Sequence, residues 1–153
     1  MTQIILASSS ETRKALLDRL QLDYLAISPD IDESAKPHET AEQLAQRLSY
    51  EKALKIANNH PDAIVIGSDQ VAWRELQPDI FIGKPLTSEK AIQQLQANSG
   101  RTVYFSTALS VQQQSTGFEQ TVVEHYTVKF RSLTDNEIAR YVAKEQPLHC
   151  AGS

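Results

Sequence analysis

Short apolar runs alternate along this chain with longer segments in which apolar side chains recur every three or four residues. The runs have the length and β-branched content of strands, whereas the longer segments have the spacing of amphipathic helices. The pattern predicts strands at residues 3–7, 24–27, 63–67, 102–111 and 122–130, with a short one ending at residue 82, and helices at residues 13–20, 40–59, 88–98 and 136–144.

The order of these elements predicts an α/β fold, in which helices pack on a mixed sheet and the last two strands form a hairpin around a Gln-rich loop. The run at residues 63–67 is continuously apolar, so we expect a central strand that is covered on both faces and ends at Gly67. The expected N-caps of the later helices are Thr40, Thr87 or Ser88, and Thr134 or Asp135.

The composition narrows the class of protein. The 153 residues, of which 41% are hydrophobic, suit one folded domain. A net charge of −4 argues against binding to a nucleic-acid polymer, although a local group of basic side chains can still hold one phosphorylated small molecule. No run reaches the roughly 20 apolar residues of a membrane span. The single cysteine, Cys150, suits a reducing compartment, so we expect a cytoplasmic protein.

Ser10 and Arg13 form the first candidate site. Three serines separate the first strand from the first helix, and a helix that begins there presents free backbone N–H groups and the positive end of its dipole. Arg13 follows one turn later and could hold a phosphate oxygen. The alternative, which the local pattern alone favours, is an N-cap serine beside a solvated arginine.

Lys52 lies within the apolar stripe of the helix at residues 40–59. Its ammonium either passes along the core to reach solvent or is directed from a rigid helix into a binding site. The sequence leaves both alternatives open.

Asp69 and Lys84 each follow a predicted strand. Ligands of open α/β sheets bind beyond the carboxyl ends of strands, so Asp69 is the best placed acid, able to bind a divalent ion or to orient and deprotonate a water. Lys84 stands on a stiff Gly-Pro turn. Glu33 belongs, with Asp30 and Asp32, to an acidic loop that could complete a metal shell, although such a run is most often only solvated.

The sequence gives little support for a histidine metal site, a glycine-rich nucleotide loop or a cysteine nucleophile. The four histidines have no metal-ligand spacing, and the sequence has neither a Walker phosphate loop nor a dinucleotide glycine fingerprint. Cys150 follows His149, but nothing nearby would activate a thiolate. Cations, helix-start hydroxyls and carboxylates together suit a polyphosphate ester, whose hydrolysis needs a metal ion and a base or a metal-bound water.

Seven motifs along nearly the whole chain resemble, in their order, those of the Maf family of nucleoside triphosphate pyrophosphatases. They read Leu-Ala-Ser-Ser-Ser-Glu-Thr-Arg at residues 6–13, Pro-Asp-Ile-Asp-Glu at 29–33, Arg-Leu-Ser-Tyr-Glu-Lys-Ala at 47–53, Ile-Gly-Ser-Asp-Gln-Val at 66–71, Gly-Lys-Pro at 83–85, Ser-Gly-Arg at 99–101 and Pro-Leu-His-Cys-Ala-Gly-Ser at 147–153.

The resemblance implies the Maf and ITPase-like fold, an elongated twisted mixed sheet flanked by helices in two lobes around a cleft, and often a homodimer. It implies hydrolysis between the α- and β-phosphates of a nucleotide, with Mg²⁺, Mn²⁺ or Co²⁺, to a monophosphate and pyrophosphate. Asp69 matches the family's proton acceptor and Glu33 an acid of its cleft, and we expect both to hold the metal. The phosphate-handling positions match Ser10, Arg13, Lys52 and Lys84.

The Ser-Asp-Gln form at residues 68–70 resembles the subfamily active on 7-methyl-GTP. Thr12 and Gln70 match positions of base choice, and Thr12 replaces an aromatic residue that is frequent there and would offer a stacking face. Family members continue past this chain's last residue, so we expect a single Maf-like domain at residues 1–153 without the family's C-terminal segment, and lower stability and turnover. The alternative function is a nucleotide-binding regulator of cell division with little or no turnover.

Overall fold

The computed structural model describes residues 1–152, which contain six strands and four α-helices. The strands are β1 (Ile4–Leu6), β2 (Leu25–Ala26), β3 (Ile64–Arg74), β4 (Gln77–Ile82), β5 (Thr102–Gln113) and β6 (Phe118–Lys129). The helices are α1 (Glu11–Asp18), α2 (Ala41–Ala57), α3 (Ser88–Asn98) and α4 (Asp135–Glu145). None of these helices is long and apolar enough to cross a membrane.

The strands form one mixed sheet in the order β2-β1-β3-β5-β6, with β4 also paired to β3. β1 is parallel to both β2 and β3, whereas β4 is antiparallel to β3. The α/β class predicted from the alternation of strands and helices is confirmed.

The chain divides into two compact units. The first comprises Met1–Asp69 and Thr107–Glu124, and the second comprises Gln70–Ser106 and the chain from His125 onward. The core of the first unit packs α2 against β1 and β3 through Ile5, Ala7, Ala53, Ile56, Ala57, Ala63 and Val65. In the second unit α3 packs on α4 through Ala91, Leu95, Ile138 and Val142, and a further cluster contains Ala72, Ile82 and Val103.

The N-caps of α2, α3 and α4 are among those predicted from the sequence. Thr40 and Thr134 each close a capping box, with Gln43 and Glu137 as the return partners, and Thr87 caps α3. Where the sequence left two candidates, threonine is the capping residue. Capping is decided within four residues of chain, which is why it could be predicted without knowledge of the tertiary structure.

The predicted end of the central strand at Gly67 is wrong, because β3 continues to Arg74. Burial still alternates through Ser68 and Asp69, and the last part of the strand pairs with β4. The neighbouring β1 does end here, since its last residue, Leu6, lies opposite Ile66. Asp69 is therefore inside its own strand but beyond the carboxyl end of the adjacent one.

Candidate active site

A glycine brings α2 into close contact with β3. A Cβ built on Gly67 would lie 2.2 Å from the carbonyl oxygen of Ser49 and 2.8 Å from the backbone nitrogen of Ala53. Lys52 belongs to this turn of α2, and Asp69 follows Gly67 by two residues, on the same face of β3. The close approach of helix and strand thus places Lys52 next to Asp69.

Lys52 joins two carboxylates. Lys52 and Asp69 are both buried, since only 6% of the surface of Lys52 and 7% of that of Asp69 is exposed. Nζ donates a hydrogen bond of 2.9 Å to Oδ1 of Asp69 and also pairs with Oε1 of Glu33. The ammonium is thus paired with two carboxylates, and that it serves a binding site stays a prediction.

The electrostatics of Asp69 reflect this burial. Loss of hydration raises the pKa of its carboxyl above the ordinary value, while the charges of Lys52 and Arg13 lower it and that of Glu33 raises it. Two cations and a second acid therefore act on Asp69 in the first unit. A buried ion pair adds little net stability, because desolvation offsets the attraction, so such a cluster is more typical of a functional site than of a folding device.

The start of α1 supplies further groups for an anion. Oγ of Ser10 accepts a hydrogen bond of 3.3 Å from the backbone N–H of Arg13, and Oγ of the buried Ser8 accepts one of 3.0 Å from Ser10. Ser10 is thus an N-cap, as the alternative interpretation held. The backbone N–H groups of Glu11 and Thr12 have no acceptor within the helix, so the helix start can still bind a phosphate.

The acids at residues 30, 32 and 33, in the loop before α2, differ in their contacts. Asp32 accepts hydrogen bonds of 2.9 Å and 2.6 Å from the backbone and hydroxyl of Ser34, which lower the pKa of its carboxyl. Asp30 contributes its carbonyl oxygen, which accepts a hydrogen bond from Lys55. Glu33 is the acid whose carboxylate contacts Lys52.

Two of the sequence candidates belong to the second unit. Lys84 is exposed, and its main chain is held by a hydrogen bond of 2.8 Å from Nε2 of Gln94 to the carbonyl oxygen of Gly83. Gln70 is also exposed. Their part in the site therefore stays a prediction, as does that of Thr12, which is exposed in the first turn of α1.

A divalent ion bound together with a substrate would have Glu33 and Asp69 as its carboxylate ligands. Within residues 1–152 no group of three or more His, Cys, Asp or Glu side chains could hold a metal ion by itself. Glu33 and Asp69 do place two carboxylates around one ammonium. Mg²⁺ is commonly held by one or two carboxylates together with substrate phosphates, so this pair fits such an ion.

Sequence reasoning missed Gly67 and the ion pairs of Arg47. A glycine within an apolar strand signals the close approach of another backbone, and that signal was present. Arg47 and Glu51 have the four-residue spacing of a helical ion pair, which was also visible. The contact of Arg47 with Glu39 joins the helix to the preceding loop and could not be seen in a local pattern.

A helix N-terminus followed by an arginine, and a buried lysine paired with two carboxylates, are groups that can bind a phosphorylated ligand. A sequence model of the Maf family, described as Maf-like protein, matches residues 3–153, and the chain belongs to this family. A nucleoside triphosphate pyrophosphatase from Acinetobacter baylyi is 62% identical over 153 residues, which are 100% of this chain and 77% of that protein.

Two further relatives carry the name 7-methyl-GTP pyrophosphatase. That of Alcanivorax borkumensis is 48% identical over 98% of this chain and 75% of its own length. That of Aromatoleum aromaticum is 49% identical over 99% of this chain and 77% of its own length. The predicted family and the predicted class of enzyme, a nucleotide pyrophosphatase, are confirmed at the level of these relatives.

Solved structures of lower sequence identity share the fold. A HAM1 protein from Coxiella burnetii has a TM-score of 0.56 at 16% identity, covering 84% of this chain and 73% of that one. The Ham1 protein of Staphylococcus aureus has a TM-score of 0.53 at 20% identity, covering 83% of this chain and 70% of that one. These likenesses concern the fold alone.

Proposed function

We propose that this protein hydrolyses the bond between the α- and β-phosphates of a nucleoside triphosphate and releases a nucleoside monophosphate and pyrophosphate. The observation that carries the proposal is the buried ammonium of Lys52, paired with both Asp69 and Glu33 in the first unit. The names of the relatives, all pyrophosphatases of nucleotides, support the same reaction.

We propose a role for each group, and that of Lys84 rests on the family resemblance alone. The N–H groups at the start of α1, with Ser10 and Arg13, bind phosphate oxygens, and Lys52 and Lys84 add positive charge. Asp69 orients a water and accepts its proton, a role suited by a carboxyl whose pKa lies above the ordinary value. As the water oxygen bonds to phosphorus, the phosphoanhydride bond breaks and pyrophosphate leaves with the electron pair.

Glu33 and Asp69 would hold a divalent ion, Mg²⁺, Mn²⁺ or Co²⁺, together with the phosphates of the substrate. When bound, such an ion offsets the negative charge of the polyphosphate. Lys52 holds both carboxylates in place and so keeps the donor set close together.

We propose 7-methyl-GTP as the substrate. The support is the Ser-Asp-Gln form at residues 68–70 and the names of two relatives. Thr12 and Gln70 are proposed to contact the base. The single cysteine supports a cytoplasmic place of action, and a homodimer is proposed from the family resemblance alone.

The proposal is tested by measuring pyrophosphate release from 7-methyl-GTP, dTTP, UTP and GTP with Mg²⁺ or Mn²⁺. Turnover is expected to be fastest with 7-methyl-GTP and to disappear in Asp69→Asn, whereas the matched change at an exposed acid, Asp23→Asn, leaves it unchanged. Nucleotide binding without pyrophosphate release would contradict the proposal and favour a nucleotide-binding regulator.

A further inference from the structure

Arg47 ties α2 to the loop that precedes it. Its Nε and one terminal nitrogen bind both oxygens of Glu39, at 2.7 Å and 2.9 Å. The same terminal nitrogen donates a hydrogen bond of 2.9 Å to the carbonyl oxygen of Ser34, and the other contacts Glu51 at 3.1 Å. The side chains of Arg47 and Glu39 are only 17% and 9% exposed, so this is not a surface ion pair.

The loop in question, residues 30–39, contains no helix or strand. It is joined to α2 by Lys55, which binds the carbonyl oxygen of Asp30, by Lys52, which pairs with Glu33, and by Arg47. The carbonyl that Arg47 holds belongs to Ser34, the residue directly after Glu33. Arg47 thus fixes the main chain next to the acid that reaches the buried ammonium.

We propose that Arg47 is a positioning residue, which holds the loop so that the carboxylate of Glu33 reaches Lys52. What that carboxylate then does rests on the proposed function, but its placement does not. The planar guanidinium is suited to the task because it binds a carboxylate in a fork and a carbonyl at the same time, which an ammonium cannot reproduce in the same geometry.

A purely stabilising ion pair would give a different result. In that case any loss of charge in the network would act through global stability alone. Glu51 provides the control, because it contacts Arg47 from the same helix and makes no contact with the loop through this pair. Glu51→Gln is therefore expected to leave the loop as it is. Arg47→Lys and Glu39→Gln should both weaken the contact that holds the loop, the first by changing the partner on α2 and the second by changing the partner on the loop.

Hydrogen exchange measures the placement of the loop without requiring activity. We expect Arg47→Lys and Glu39→Gln to speed amide exchange in residues 30–39 by about tenfold or more, while the amides of β3 in the same two variants exchange as in the wild type. In the control variant Glu51→Gln, the amides of residues 30–39 should also exchange as in the wild type. Using Glu39→Gln as well keeps the test decisive if Arg47→Lys folds poorly. Unchanged exchange in the loop of both variants, or equal acceleration throughout the chain, would overturn the proposal.

Kinetics test whether the effect passes through Glu33. With 7-methyl-GTP and Mg²⁺, Arg47→Lys is expected to lower kcat/KM roughly 10- to 100-fold and to raise the Mg²⁺ concentration for half-maximal rate. In a Glu33→Gln background the same change has no further effect. If Arg47→Lys lowers kcat/KM by the same factor in the Glu33→Gln background as in the wild type, the positioning role is refuted. If the wild type hydrolyses no nucleotide, the proposed function fails, and hydrogen exchange alone decides the role of Arg47.

Discussion

The buried charges around Lys52 make the first prediction at the scale of single residues. Lys52→Met leaves Asp69 buried without its hydrogen-bonded cation, and removing one partner of a buried pair costs about 3–5 kcal/mol. We expect the free energy of unfolding in urea at pH 7 to fall by that amount. Lys14→Met, which removes a surface pair with Glu11, is the control and should cost at most about 1 kcal/mol.

A second variant separates the loss of the pair from the loss of packing. In Lys52→Met combined with Asp69→Asn no buried charge is left alone, so the double variant should be more stable than Lys52→Met by itself. A double variant that is less stable would show that Lys52 acts through its methylene groups and not through its charge.

The contribution of Glu39 to the stability of the folded protein should depend on pH. The guanidinium of Arg47 lowers the pKa of this carboxyl from 4.5 to about 2 in the folded protein. A lowered pKa means that the contribution to stability is present above the unfolded value and is lost as pH falls from 4.5 through 2. We expect the wild type to exceed Glu39→Gln in stability by on the order of 1–2 kcal/mol at pH 7, allowing for screening by solvent.

Urea unfolding of both proteins at several pH values checks this expectation. The difference between them should shrink steadily below pH 4.5. A difference that stays constant down to pH 3 would mean that the carboxyl of Glu39 is not ionised in contact with Arg47.

The sequence identified individual residues better than it identified their partners. Lys52 could be singled out because a charge within an apolar helical stripe contradicts the pattern around it. That it meets Asp69, 17 residues further along, and Glu33, on an irregular loop, depends on tertiary structure. The contacts of Arg47 with the loop were missed because its spacing with Glu51 resembles an ordinary surface pair, and because its guanidinium binds only the main-chain carbonyl of Ser34, which leaves no signal in the sequence.

At the scale of elements, Gly67 is expected to control the distance between α2 and β3. Gly67→Ala would force its Cβ against the backbone of Ser49 and Ala53, which cannot move without the helix. We predict a loss of about 1–3 kcal/mol in the free energy of unfolding. Pyrophosphate release should also fall strongly, because the helix carries Lys52.

Gly83→Ala is the matched control for stability. A Cβ at Gly83 meets no atom within 4 Å, so the variant should unfold in urea like the wild type. If Gly67→Ala is as stable as Gly83→Ala and keeps full activity, the close contact of helix and strand does not position the site.

The helices could be predicted more accurately than the central strand for a physical reason. Their N-caps, at Thr40, Thr87 and Thr134, depend on side chains within the same turn. The length of β3 instead depends on its pairing with β4, which begins three residues after β3 ends. The polar residues after Gly67 interrupt the apolar run without interrupting the strand, so the hydrophobic pattern placed its end too early.

At the scale of the whole molecule, a net charge of −4 and a site with several cations lead to opposite expectations for two kinds of phosphate ligand. A nucleic-acid polymer would meet the charge of the whole surface, so we expect it to be repelled. A single triphosphate bound at the proposed site would instead meet Arg13, Lys52 and the N–H groups at the start of α1, which favour an anion. Affinity should therefore increase with the number of phosphates on one nucleoside.

This leads to a prediction for thermal unfolding in the presence of Mg²⁺, with Asp69→Asn used so that the nucleotide is not consumed. At about 100 times its Kd, 7-methyl-GTP should stabilise the folded state by about 2.7 kcal/mol and raise Tm accordingly. The same concentration of 7-methylguanosine, which has the base and no phosphate, should raise Tm much less, and the monophosphate should have an intermediate effect. Because the phosphates dominate, the shift should also decrease as salt is added. Equal shifts with nucleoside and triphosphate would place the binding energy on the base and contradict a site built around the charges of Arg13 and Lys52.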